Sequence, residues 1–244
     1  MKPERSRALH SRWVLATAVI GLGFIFTGVV CAERGPLPKE AQDLNAKAVA
    51  LTSYRTAFVL ETKEEDGQTV RLEGKLSFQM PNRRRLEIHE GGSKDLAQSI
   101  VSDGQKEWHY YPATKSLYRV NAPKEIPGPQ RPFGEMEPGT VRFVERRGSG
   151  PTARLRFEGK PAASITEGAP APIETIRVDV GEDGLVRELY LLSQKGEQVF
   201  SQIYSEVEVN VSLPPSDFLF TPPAGVPIIE MGASPDQTES SSRK

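Results

Sequence analysis

Strict alternation between apolar and polar residues identifies the segment "TVRLEGKLSFQM" (Thr69–Met80) as a β-strand. Successive side chains on a strand point to opposite sides, so the polar residues from Arg71 to Gln79 share one face. The other face carries Val70, Leu72, Gly74, Leu76, Phe78 and Met80. Such a one-sided strand lines either a filled core or a cavity for an apolar ligand, and alternation alone does not separate these two cases.

The same period of two continues along most of the chain, behind one segment with a helical period. A helix is predicted at Leu37–Ser53, where Ala41, Leu44 and Ala48 fall on one stripe. Strands are predicted near Tyr54–Thr62, Thr69–Met80, Arg84–His89, Ser99–Ser102, Lys106–Tyr111, Ser116–Val120, Thr140–Glu145 and Arg154–Glu158, followed by "IETIRVDV", "LVRELYLLS" and "QVFSQIYSEVEVNV". We therefore predict a mainly β fold, a meander of about ten antiparallel strands behind an N-terminal helix.

The N-terminus has the layout of a secretory signal: a basic segment (Met1–Arg12), an uncharged apolar run and the sequence "CAERG". Cleavage after Ala32 is one interpretation. An uncleaved membrane anchor is a second, because the apolar run exceeds the usual length of about 7–15 residues. Lipid attachment at Cys31 is a third. We predict residues 1–32 to be a signal peptide or anchor, residues 33–230 to be one domain, and residues 231–244 to be a disordered polar tail.

Composition and charge exclude some classes of function. The net charge of the 244-residue chain is −1, with no basic excess of the kind that binds nucleic acid. Cys31 is the single cysteine, so the domain after it is predicted to have neither a disulfide nor thiol chemistry.

Motifs for catalysis or metal binding are not found in the sequence. His89 and His109 fall on predicted strands, where we assign them to the solvated face, and no metal-ligand spacing accompanies them. Ser102 precedes an Asp-Gly turn signal and lacks the Gly-x-Ser-x-Gly context of a nucleophile. Arg83–Arg85 is interpreted as the solvated start of a strand, with a basic docking site as the alternative. We predict no enzyme activity, no cofactor and no metal.

Four stretches occur in the order typical of one family: "GKLSFQMPNRRRLEI", "SIVSDGQKEWHYYPATKSLYRV", "IETIRVDVGEDGLVRELYLL" and "DFLFTPPAGVPI". With these stretches behind a secretion signal, the chain resembles the LolA-type periplasmic carriers of outer-membrane lipoproteins, the LolA/LolB-like lipoprotein-sorting proteins. The resemblance covers most of Leu37–Ile229.

The resemblance implies an incomplete antiparallel β-barrel whose concave apolar side is covered by a loop or by short helices. It further implies a carrier that shelters the acyl chains of lipoproteins, or another lipid, for transfer towards the outer membrane. Partners would be the acylated lipoproteins, an inner-membrane lipoprotein exporter and an outer-membrane acceptor. The need is physical, because each exposed CH₂ group of an acyl chain costs about 0.8 kcal/mol in water.

On this resemblance the apolar strand faces are expected to line a lipid-binding cavity. Trp108 and Tyr110 alternate with the polar residues of their strand, so they are expected to face inward with the apolar residues of the neighbouring strands. The predicted cavity residues are Val70, Leu72, Leu76, Phe78, Met80, Leu86, Ile88, Trp108 and Tyr110.

The sequence departs from the family pattern at three places. Met80 occupies the position before the proline where an arginine is usual, and Arg83 and Arg84 replace an aromatic residue. The segment Ala122–Gly139, where the covering helices are expected, holds five prolines and three glycines. An alternative function on the same fold is therefore a membrane-anchored lipoprotein-binding acceptor, or a sensor of envelope stress.

Overall fold

The computed structural model describes residues 36–64, 66–124, 132–137, 139–166 and 172–231. The predicted signal segment, most of the predicted C-terminal tail and part of the proline-rich segment lie outside these residues. The proposed division into signal, domain and tail therefore stays a prediction.

One helix precedes the strands. Helix α1 (Lys39–Val49) buries Ala41, Leu44 and Ala48, three positions of the predicted apolar stripe. It packs on the turn at Gly184, whose φ of +87° suits glycine; a Cβ there would lie 2.4 Å from the Leu44 carbonyl oxygen. A second helix, α2 (Ala163–Thr166), is a single turn.

Twelve strands of the described residues form one unclosed sheet, in which β12 and β7 are the edges of the order β12-β6-β5-β4-β3-β2-β1-β11-β10-β9-β8-β7. All neighbours pair antiparallel except β12, which runs parallel to β6. The strands are β1 Ser53–Lys63, β2 Thr69–Gln79, β3 Arg83–Glu90, β4 Leu96–Asp103, β5 Lys106–Tyr111, β6 Ser116–Asn121, β7 Arg142–Arg147, β8 Arg154–Gly159, β9 Thr175–Gly181, β10 Val186–Leu192, β11 Gln198–Val209 and β12 Ile228–Glu230. This mainly β architecture with an N-terminal helix confirms the predicted fold class, an incomplete barrel.

The two faces of the sheet are covered by different parts of the chain. We call the face that carries Phe58, Leu72 and Phe157 the inner face, and its opposite the outer face. Inner-face side chains from β1–β3 and β8–β11 form one core cluster with Ala41 and Leu44 of α1. The helix therefore stabilises the sheet from the inner side.

The described part of the proline-rich segment also packs on the inner face. The Phe133 ring meets the Phe157 ring edge-on at 4.9 Å, and Met136 forms a β-bridge with Pro161. Residues 132–135 form a turn, the structure that proline and glycine favour.

The C-terminal segment crosses to the outer face. A 3₁₀ turn, Pro215–Phe218, contacts β3 and β4, and Phe218 is fully buried there. Arg85 Nη1 donates to the backbone oxygens of Asp217 and Leu219. The outer face of the sheet is thus covered at β3 and β4, which the sequence pattern did not predict.

Gly74 provides a test of how closely the inner face is packed. A Cβ at Gly74 would lie 2.3 Å from Phe58 Cζ and 2.7 Å from the Glu87 carbonyl oxygen. We expect Gly74→Ala to lower the free energy of unfolding by about 2 kcal/mol, because a rigid backbone and a buried ring must both shift. Lys75→Ala, on the exposed side of the same strand, should change it by less than about 0.5 kcal/mol. Urea unfolding of both variants measures the difference, and equal values would contradict the close packing.

Candidate functional site

The inner face of β1–β5 is organised in rows of directly paired residues, which lie on the same side of the sheet. The first row runs Tyr54, Phe78, Arg84, Ser102, Glu107; the second runs Thr56, Leu76, Leu86, Ile100, His109; the third runs Phe58, Gly74, Ile88 and Gln98, whose side-chain amide donates to the Tyr111 hydroxyl. The rows are apolar towards β1 and β2 and become polar towards β4 and β5.

The apolar part of the inner face is buried at its ends and half-buried at its centre. Phe78, stacked on Tyr54 with ring centroids 5.4 Å apart, is 2% exposed, and Ile88 is also buried. Leu76 and Leu86, paired across β2 and β3 in the second row, are only half-buried. The described inner face therefore keeps an accessible pair of leucines between buried neighbours.

The predicted cavity residues of β2 and β3 all lie on the inner face, and the exception is at the end of β2. Val70, half-buried, and Leu72, buried, extend it beyond the third row. Met80 follows the end of β2 and is 47% exposed, so it lies at the rim rather than within the packed face. Whether these residues bind lipid stays a prediction.

Trp108 and Tyr110 lie on the outer face, so the expectation that they face inward is wrong. Pairing places them beside Val101 and Ser99, which alternate with the inner residues Ile100 and Ser102. Both rings pack against Phe220 of the C-terminal segment, with centroids 5.6 Å and 6.2 Å away. Arg119 lies over the Trp108 ring at 5.0 Å. These aromatic residues hold the C-terminal segment on the sheet.

A buried charged cluster occupies the inner positions of β3 and β5 instead. Arg84 donates from Nε and Nη2 to the two carboxylate oxygens of Glu107, at 3.0 and 2.9 Å. His109 Nε2 lies 2.7 Å from Glu107 Oε1. The predictions that His109 lies on the solvated face and that Arg84 lies at a solvated strand start are wrong, because both side chains are buried on the inner face. His89, on the outer face, is half-buried.

The cluster keeps Glu107 ionised. Burial on its own would raise the pKa of Glu107, but the hydrogen bond from His109 and the charge and hydrogen bonds of Arg84 outweigh it and lower the pKa below its ordinary value of 4.5. A bidentate arginine–carboxylate pair of this kind is among the stronger polar contacts in proteins. The inner face thus carries a neutralised ion pair next to apolar side chains.

Two small hollows flank β1 on opposite faces. A cavity of about 10 Å³, at the lower limit for holding a single water molecule, is lined by Tyr54, Thr56, Leu185, Val186, Tyr204 and Val207. An open hollow of about 150 Å³ on the outer face is lined by Val59, Glu61, Arg71, Ser201 and Ile203.

Neither a metal site nor a spanning helix is found in the part of the chain that the structure describes. No group of three or more His, Cys, Asp or Glu side chains converges there. No described helix is long and apolar enough to cross a membrane. Ser102 Oγ donates to the Asn82 backbone oxygen, and Asp103 accepts from the amides of Gln105 and Lys106 in the predicted turn.

Glu107→Gln tests the buried pair. At neutral pH we expect it to lower the free energy of unfolding by about 3 kcal/mol, because Arg84 is left buried without a counter-charge. The pKa of Glu107 is lower in the folded state, so the carboxylate stabilises the fold above about pH 5, and this contribution is lost as pH falls through the folded-state pKa. The wild type and the variant should therefore converge in acid. The matched control is Glu208→Gln, which breaks an exposed bidentate pair with Arg55 and should change the free energy of unfolding far less, because water screens that pair. Urea unfolding between pH 3 and 8 measures both; a pH-independent difference for Glu107→Gln would contradict the assignment.

Two proteins of similar sequence are outer-membrane lipoprotein carrier proteins. The one from Nitrosomonas europaea is 25% identical over 208 residues, covering 84% of this chain and 97% of that protein. The one from Serratia proteamaculans is 25% identical over 199 residues, covering 80% and 90%. No protein-family model matches the chain.

A solved structure agrees with the fold. An uncharacterized conserved protein from Thermus thermophilus superposes with a TM-score of 0.54 at 13% identity, covering 79% of this chain and all of that one. The sequence matches extend over nearly the whole length of both carriers, and the unclosed sheet with its leading helix is the architecture that the resemblance implied. In sequence the chain is therefore similar to outer-membrane lipoprotein carriers over 80–84% of its length.

Proposed function

We propose that this protein shelters the acyl chains of lipoproteins, or of another lipid, against the inner face of its sheet in the periplasm. The observation that carries the proposal is the half-buried pair Leu76–Leu86 in the middle of an otherwise buried apolar face. Apolar side chains that remain accessible at the centre of such a face provide a place where an acyl chain gains burial. The named carriers that match the chain at 25% identity support the same class of function.

The inner face suits a chain-like ligand because its apolar side chains are continuous across strands. Thr56, Leu76, Leu86 and Ile100 follow one another along the second row at the strand spacing of about 4.8 Å. An extended acyl chain lying along this row would contact each strand in turn. Each CH₂ group buried there would contribute about 0.8 kcal/mol.

The proline-rich segment is proposed to act as a cover at the other end of the same face. Phe133 and Met136 belong to the core cluster together with Phe157, so the described residues 132–137 close the side of β8. A lipid that enters beside Phe133 and Met136 would compete with their contacts to the core. Lipoproteins, an inner-membrane exporter and an outer-membrane acceptor are the proposed partners, reached after export by the N-terminal signal.

Photo-crosslinking in cells tests the proposal directly. A photoreactive amino acid at Leu86 should capture acylated lipoproteins, because this position lies on the half-buried centre of the inner face. The matched position is Ile203, which is apolar and 43% exposed but lies on the outer face. We expect metabolically labelled acyl chains to appear in the adduct at position 86 and to be absent from position 203.

Two results would count against the proposal. Equal labelling at positions 86 and 203 would indicate non-specific contact with membranes, and labelling at neither position would indicate that the inner face does not meet lipid. Adducts that hold a phospholipid in place of a lipoprotein would retain the inner-face site and change the cargo.

A further inference from the structure

Two hydrogen-bond donors in the first row of the inner face have no partner in the described structure. The Nε and Nη2 atoms of Arg84 are taken up by Glu107, but no hydrogen bond to its Nη1 is found among the described residues. The Tyr54 hydroxyl is buried, in a residue that is 1% exposed, and likewise bonds to no described atom. Most buried polar groups in proteins are hydrogen-bonded, so two unpaired donors in one row call for an acceptor.

The Arg84 donor is accessible while most of its side chain is enclosed. The side chain is 10% exposed, and its Nη1 atom is not fully enclosed by the described residues. Arg84 precedes Leu86 by two residues on β3, which places both on the inner face at about 6.6 Å along the strand. Among the described residues, the two N–H groups of Nη1 therefore have no partner and lie beside the leucine pair where the acyl chain is proposed to bind.

The charge of the cluster selects the kind of acceptor. Arg84 is already neutralised by Glu107, so an anionic group at Nη1 would be placed close to a carboxylate and repelled by it. A neutral carbonyl oxygen accepts from Nη1 without this repulsion. Every ester-linked or amide-linked acyl chain has such a carbonyl at its head, where the hydrocarbon ends.

We propose, on the basis of the function proposed above, that Arg84 Nη1 and the Tyr54 hydroxyl bind the carbonyl oxygens at the head of the bound acyl chains. The apolar rows take the hydrocarbon, and the first row fixes where it begins. This subsite distinguishes acyl lipids from hydrocarbons of equal length. It recognises the carbonyl shared by lipoproteins and phospholipids.

Ester and ether ligands of matched length test this subsite. The probes are a synthetic S-diacylglyceryl-cysteine peptide, phosphatidylethanolamine, and the dialkyl ether analogue of each, in which CH₂ replaces the carbonyl. Displacement of a bound apolar fluorophore from the full chain gives the affinities. We expect the wild type to bind each ester about tenfold more tightly than its ether, the size of one hydrogen bond to a charged group.

The main variant replaces the ion pair by apolar residues of similar length, Arg84→Met/Glu107→Met, so that no charge is left buried alone. It should bind the ethers as the wild type does and lose the preference for the esters. Tyr54→Phe removes only an unpaired hydroxyl, so its fold is expected to be kept, and the preference should fall several-fold. The matched control is Arg55→Met/Glu208→Met, a bidentate pair of the same geometry on the outer face, which should keep the full preference.

The outcomes separate this inference from the proposed function. Equal affinity of the wild type for ester and ether, or a preference that survives in both inner-face variants, would overturn the carbonyl subsite while leaving the carrier function in place. No binding of any probe to the wild type would overturn the carrier function itself. A preference shown for phosphatidylethanolamine alone would keep the subsite and identify phospholipid as its ligand.

Discussion

The register between neighbouring strands is the constraint on which the rest of this structure depends. Each strand has two faces with a period of two, so a slip of one residue between β2 and β3 would exchange Leu86 with Arg85 and expose the apolar row. The register is held by contacts that fit only one alignment. The Phe58 ring lies where Gly74 has no side chain, and Arg84 reaches across β4 to Glu107. Apolar packing and one buried ion pair thus fix the same alignment from opposite ends of β1–β5.

Much of the fold follows from the sequence because it depends on local periodicity. The helix and eleven of the twelve strands were predicted near their observed bounds, and the turn at Asp103-Gly104 forms as its residue types require. The inner positions of β2 and β3 were also predicted, since "TVRLEGKLSFQM" has only one apolar face. The short parallel strand β12 was missed, because three residues carry no period and its pairing with β6 depends on a contact across more than a hundred residues.

The candidate site was predicted only in its apolar half. The rule that the apolar residues of an alternating strand face inward assumes that the other side of the strand is exposed to water. At β5 this assumption fails. The C-terminal segment brings Phe218 and Phe220 onto the outer face, where the Trp108 ring stacks on Phe220. The apolar side of β5 therefore faces outward, and Glu107 and His109 face inward and are buried. One signal of this inversion was present in the sequence. Strand β5 alternates ionisable and aromatic residues, with Glu107 and His109 on one face and Trp108 and Tyr110 on the other. Strand β3, two strands away, carries Arg84 in the same row as Glu107, so the opposite charges can meet across the small Ser102 of β4.

The mixture of apolar rows and a neutralised ion pair fits the energetic demands on a carrier. A fully enclosed chain of sixteen carbons would gain on the order of 12 kcal/mol from burial, enough to make release slow on the time scale of transport. A half-buried face gives a smaller gain in binding free energy, because Leu76 and Leu86 are already partly buried by neighbouring side chains before a lipid binds. A polar contact at the head of the chain is directional and is lost as soon as the head moves, so it adds selectivity with little resistance to withdrawal. Under the proposed carrier function, specificity for acylated cargo would belong to the first row, and the strength of holding would depend on how far the second row remains open.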